Sequence, residues 1–188
     1  MTQDLGALAL VLMISFVLIR VRILKAHGIS AMHFGSTDKT DFLIPPFALL
    51  FIYTVCAGAF HWPFFGYGWL FESPPLQWAG VLLCAAGLIL MLLSLISFGA
   101  SFRVGIDNEQ PGALVTSGIF AVTRNPIYVA FACVLLGEFL IAPQWILLLY
   151  VVGGFVVFHR QVLREEASLQ EHYGSEYAAY RQRVRRYI

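Results

Sequence analysis

Apolar residues gather into five runs, at residues 5–19, 42–60, 76–98, 127–141 and 145–158, and polar or charged stretches separate them. A lipid medium offers no hydrogen bonds to the backbone, so each run predicts a helix that satisfies its own amide groups. The expected fold is all-α: an integral membrane bundle of about five transmembrane helices with cytoplasmic helices after the last. The final two runs are shorter than the roughly 17 to 25 residues a span needs. Only Ala142-Pro143-Gln144 divides them, which predicts a tight helical hairpin with Pro143 in the first turn of its second helix.

Composition agrees with this pattern. Of 188 residues, 59% are apolar and 12% charged, against roughly a quarter charged in soluble chains. Mean hydropathy is +0.76. The basic residues order the runs across the bilayer, because inner loops accumulate Lys and Arg. Arg20, Arg22, Lys25 and Lys39 lie between runs one and two, Arg103 and Arg124 between three and four, and Arg160, Arg164, Arg181, Arg183, Arg185 and Arg186 after the fifth. Segments 1–4, 61–75 and 142–144 have none. The N-terminus is therefore expected outside and the C-terminus inside. No basic residue precedes the first run, which is expected to stay as an anchor and not to be cleaved.

The chain reads as one domain, 1–188, with a three-span part at 1–98 and a ligand-binding part at 99–188. Gly80, Gly87, Gly99 and Gly153-Gly154 are expected at close helix contacts. Cys56, Cys84 and Cys133 lie within apolar runs without metal-ligand spacing, so packing is their expected role. Residues 61–69 form an aromatic belt at the outer boundary. Pro45-Pro46 suits the first turn of the second helix, with Thr40 or Asp41 as its cap. Glu138, a carboxylate within a run, lies about a turn from the outer boundary. Intramembrane carboxylates are functional candidates by default, and exposure to water is the competing expectation.

Candidate chemistry collects at the inner boundary. Residues 101–123 form a polar, glycine-bearing loop. Asn125-Pro126 reads as a helix start, with Asn125 as N-cap and Pro126 at the first helical position. Arg124 is either a ligand-binding cation or a headgroup anchor. The fifth helix should continue past His159 to a stop at Gly174, and a short helix capped by Ser175 should present Tyr177 and Tyr180 on one face. Val162, Glu166, Leu169 and Tyr173 share the apolar face, so Glu166 needs a cationic partner, while Glu165 is rotated about 100° away and is free to be solvated. The basic tail that follows is expected to contact anionic lipid. Arg124, Glu166, the helix start and Tyr128, Tyr177 and Tyr180 together suit a small zwitterion, by guanidinium–carboxylate, carboxylate–ammonium and aromatic–cation pairing. Ser-His-Asp sets, metal clusters and phosphate loops are missing from the sequence, and a net charge of +1 gives no nucleic-acid footprint.

The order of motifs resembles the isoprenylcysteine carboxyl methyltransferase family and its phospholipid methyltransferase relatives. The matching pieces are Leu114-Val115-Thr116-Ser117-Gly118-Ile119-Phe120, then Arg124-Asn125-Pro126-Ile127-Tyr128, then Glu165-Glu166 with Leu169, then Tyr173-Gly174-Ser175-Glu176-Tyr177 through Tyr180 and Val184. The resemblance implies methyl transfer from S-adenosylmethionine to a small or lipophilic acceptor (a thiol, carboxylate or lipid amine) at the cytoplasmic face. It also implies that Val115, Thr116, Gly118, Arg124, Asn125, Pro126, Tyr128, Glu165, Glu166 and Tyr177 hold the cofactor, with Arg124, Asn125 and Glu166 as candidate catalytic residues. The family usually has His at the position of Asn125. Asn cannot act as a base, so the acceptor either arrives as an anion, such as a thiolate, or meets another base. Competing readings are an NADPH-dependent, sterol-reductase-like enzyme and a membrane adaptor without turnover.

Overall fold

The computed structural model describes residues 1–27, 44–62, 68–99 and 113–187. Five α-helices occur in this order: α1 (Thr2–Ala26), α2 (Ile44–Phe60), α3 (Pro74–Phe98), α4 (Pro126–Ile141) and α5 (Trp145–Arg183). A short 3-10 turn, Gly118–Ala121, precedes α4. The five runs thus became five helices, and the described residues contain no strand. Three of them, α1, α3 and α5, are long and apolar enough to cross a membrane. α4 has 16 residues. At 1.5 Å per residue it is about 24 Å long, less than a hydrocarbon core of about 30 Å.

α4 packs chiefly on α3, and small residues explain how closely. A methyl group added to Gly80 would stand 2.6 Å from the Gly137 carbonyl, and one added to Gly87 would stand 2.9 Å from that of Ala130. A methyl on Gly137 would lie 2.5 Å from Cys84 Sγ. Lipid competes for apolar surface, so backbone proximity is how these helices gain contact. Gly154 of α5 likewise abuts Leu135. Two expected packing glycines do something else: a Cβ added at Gly153 would meet nothing within 4 Å among the described residues, and Gly99, at φ 51°, ends α3 with its carbonyl accepting from Arg20.

At the end opposite the motif residues, the Leu70 amide donates to the Pro143 carbonyl at 2.7 Å. Pro143 lies before α5, which starts at Trp145, and so it belongs to the connecting turn and not to the first helical turn. Glu138 is not water-exposed, for only 2% of it is accessible. Its carboxylate fills the space left by Gly6 of α1 and accepts a long contact from the Cys84 thiol at 3.9 Å. On the α2 side, the Tyr150 hydroxyl donates to the Phe47 carbonyl at 3.0 Å, tying α5 to α2.

Pro45-Pro46 does fall in the first turn of α2. The expected cap at Thr40 or Asp41, Lys39, Arg103, the loop residues 101–112 and the aromatic residues 63–67 lie outside the described residues.

Candidate functional site

The polar part of α5, beyond the apolar segment, turns one face toward the start of α4. Val162 is fully buried and Glu166 is 5% accessible, one turn further on the same face. A carboxylate there needs cations, and it has two. Arg124 donates to Glu166 Oε1 from Nε at 3.3 Å and from Nη2 at 2.9 Å. Arg186 donates from Nε and Nη2 to Oε2 at 3.1 and 2.9 Å. Asn125 Nδ2 adds a bond to Oε1 at 3.1 Å. Burial would raise this carboxyl's pKa, but the Arg186 and Arg124 hydrogen bonds and charges outweigh it and leave the group below its usual value.

The helix start positions Arg124 and Asn125. Pro126 occupies the first helical position of α4 as expected, with Asn125 at the N-cap. Its side chain, however, makes no capping bond. It is spent on Glu166 and on the Arg186 carbonyl, the latter at 3.2 Å. Arg124 is not a headgroup anchor: its side chain is 8% accessible, and Nη1 donates to the carbonyls of Arg181 and Val184, each at 3.0 Å.

The C-terminal tail therefore folds into this site and does not serve only as a lipid contact. Gly174, at φ 50°, breaks α5 where the sequence predicts a stop. The helical segment beyond it carries Tyr177 and Tyr180 inward, their rings 6.0 Å apart. Tyr180 donates to the Phe120 carbonyl at 2.7 Å, which fixes the 3-10 turn. The tail then pairs with the α4 start: the Arg124 amide donates to the Arg185 carbonyl at 2.9 Å, and the Thr123 hydroxyl to that of Arg186 at 3.3 Å. Arg186 is a site residue that sequence reasoning missed. No periodicity signals it, because 184–187 is not helical.

The second glutamate is half-buried and held by two donors. Tyr128 donates its hydroxyl to Glu165 Oε1 at 2.5 Å, and Gln161, four residues earlier on α5, donates at 3.2 Å. Burial raises the Glu165 pKa. Tyr177 differs from its neighbours: it is 1% accessible, yet its hydroxyl has no hydrogen-bond partner among the described residues.

Among the described residues, the bonds that unite Arg124, Asn125 and Glu166 do not extend to Val115, Thr116 or Gly118. Val115 and Thr116 are half-buried on the approach to the turn. Gly118, at φ 62°, abuts the Ser97 side chain of α3, leaving no space for a Cβ.

Beside Tyr128, an apolar groove of about 830 Å³ runs between α4 and α5. Leu83, Ala132, Leu136 and Val156 line it together with Tyr128, His159, Arg160 and Tyr187, and nearly all of the lining surface is apolar.

The helix start, both glutamates and most of the groove lining lie within residues 76–176, which match the family model described as phospholipid methyltransferase. That stretch is more than half of the 188 residues. The chain belongs to the phospholipid methyltransferase family. It is also similar to protein-S-isoprenylcysteine O-methyltransferases. The one from Xenopus laevis is 27% identical over 108 residues, which are 56% of this chain and 38% of that protein. The one from Schizosaccharomyces pombe is 31% identical over 94 residues, which are 48% of this chain and 40% of that protein. The matches thus span about two fifths of the length of these relatives. The phospholipid methyltransferase match takes in Arg124 through Tyr128 and both glutamates, whereas Tyr177 and the tail with Arg186 lie beyond it.

Proposed function

We propose that this chain transfers a methyl group from S-adenosylmethionine to a lipophilic acceptor at the cytoplasmic face of a membrane. The observation that carries the reading is Tyr128. Its hydroxyl donates to Glu165, the neighbour in sequence of the Glu166 that Arg124 and Arg186 hold, while the residue also lines the apolar groove, so one side chain joins a polar environment to a lipid-like one. Methyl transfer between a water-soluble donor and a lipid-soluble acceptor needs two such compartments in contact.

The residues fit the cofactor. Arg124 suits its carboxylate, Glu165 its ammonium, and the Tyr177 hydroxyl, without a partner among the described residues, a polar group of its nucleoside. Pro126 and Asn125 set the α4 start, and the backbone at Val115, Thr116 and Gly118 completes the approach. Glu166 has a different role from the one implied by the resemblance. Both its oxygens are engaged by Arg124, Asn125 and Arg186, so it orients the guanidinium that meets the ligand. Bound there, the cofactor supplies an electrophilic methyl group. The chain's own residues hold the two reactants in line and keep water out. The inner-boundary placement of the basic residues supports a cytoplasmic opening for this chamber, and the groove supports lateral entry of the acceptor from the bilayer.

Proteoliposomes supplied with methyl-labelled S-adenosylmethionine and alkyl-chain thiols, carboxylic acids or amines test the proposal. Label is expected in a lipophilic product. NADPH oxidation without methyl transfer would point to the reductase reading.

A further inference from the structure

Two arginines share the Glu166 carboxylate, and they divide its oxygens unequally. Arg186 meets Oε2 with both Nε and Nη2, at 3.1 and 2.9 Å, and its Nε also reaches Oε1 at 3.2 Å. Both Arg124 donors, Nε and Nη2, fall on Oε1 alone. A guanidinium left to itself favours two parallel bonds, one to each oxygen of a carboxylate. Arg124 is denied that pairing because Oε2 is already taken. Its remaining amino group, Nη1, lies on the tail carbonyls of Arg181 and Val184. These bonds leave one Nη2–H of Arg124 without an acceptor among the described residues.

We propose that Arg186 is a positioning residue for the cofactor: by occupying Oε2 it confines Arg124 to Oε1, and so fixes the direction in which Arg124 faces the carboxylate of S-adenosylmethionine. The inference rests on the methyltransferase reading, and it extends the site beyond residue 176, where the family match ends. The backbone of the same residue reinforces the effect. Thr123 and Asn125 donate their side-chain hydrogens to the Arg186 carbonyl at 3.3 and 3.2 Å, so the tail is tied to the residues on either side of Arg124. Without the Arg186 side chain, Oε2 is free to draw Arg124 into a two-oxygen pair. The guanidinium then turns about Oε1 and pulls Nη1 away from the tail carbonyls, and the donor offered to the cofactor moves with it. The role is geometric, so positive charge alone does not supply it. A lysine brings one compact ammonium where the fork of an arginine spans the oxygen from two nitrogens. The fold does not depend on this contact, because the Tyr180 bond to the Phe120 carbonyl keeps the segment after Gly174 in place. The Arg186 side chain is 35% accessible, so a truncated residue opens a space that small solutes can enter.

The test is calorimetric binding of S-adenosylmethionine to the full chain in detergent. Arg186→Gln should weaken binding about tenfold, the loss expected when a charge-assisted hydrogen-bond arrangement is disturbed. Arg186→Lys should be weakened nearly as much, since it restores charge but not the fork. Arg186→Ala should be weakened too, and guanidinium ion at about 10 mM should restore most of its affinity, whereas methylammonium at the same concentration should not. A purely structural loss would not respond to one cation and ignore the other. Cooperative melting of all three variants shows that they are folded. Native-like binding by Arg186→Gln would overturn the proposal. So would native-like binding by Arg186→Lys, or equal rescue of Arg186→Ala by both cations or by neither. Failure of the native protein to bind S-adenosylmethionine would instead remove the methyltransferase reading itself.

Discussion

Glu166 sits between two guanidiniums, and removing its charge leaves them facing each other in a largely dry space. Glu166→Gln should therefore lower unfolding stability by about 3 to 5 kcal/mol, as expected for breaking a buried ion pair. Arg186→Gln should cost only about 1 kcal/mol, because the Arg186 side chain is 35% accessible. Thermal unfolding in detergent reads both. The carboxyl's pKa is lowered in the folded protein from its usual 4.5, so its contribution is present above that value and lost as pH falls through the folded one. Native protein should lose stability as pH falls below the usual carboxylate value, and Glu166→Gln should show a flatter profile there. The need for a cation at Glu166 was legible from its helical position, and Arg124 was the nearest motif residue. Arg186 was not legible, since only the non-helical turn of the tail brings it back. Glu165 illustrates the converse: its rotation away from the Val162 face suggested solvent, but Tyr128 of another helix waits there.

At the element scale, α3 and α4 meet through glycines whose role depends on a neighbour that sequence does not name. Gly137→Ala would place a methyl 2.5 Å from Cys84 Sγ and 2.8 Å from the Gly80 carbonyl. It should destabilise by about 1 to 3 kcal/mol. Gly153→Ala, with nothing within 4 Å, should be neutral or stabilise by up to about 1 kcal/mol through helix propensity. Melting temperatures of the two variants separate these outcomes. Periodicity and composition identified all five helices and the break at Gly174, because those depend on local preference and apolar content. They did not distinguish Gly80 and Gly87 from Gly99 and Gly153, and they passed over Gly137, because that distinction belongs to the packed pair.

For the whole molecule, the account requires the charged cluster and the groove mouth to share the cytoplasmic face. In a cysteine-free background, a membrane-impermeant maleimide should reach Ser175→Cys only from the cytoplasmic side and Glu72→Cys only from the other. The reverse pattern would invert the topology inferred from the basic residues. Family membership was legible because its pieces recur in order along α4 and α5, whereas the meeting of Glu165 with the groove was not, since Tyr128 of α4 reaches Glu165 of α5 only in three dimensions. The central claim is that the Arg124–Tyr177 region holds S-adenosylmethionine, and calorimetry on the detergent-purified protein tests it most directly. The native protein should bind with micromolar affinity. Tyr177→Phe, which removes a hydroxyl without a partner among the described residues, should weaken binding about tenfold, an effect of about 1.4 kcal/mol, without loss of fold. Binding unchanged in both Tyr177→Phe and Glu166→Gln, or no binding by the native protein, would contradict the account.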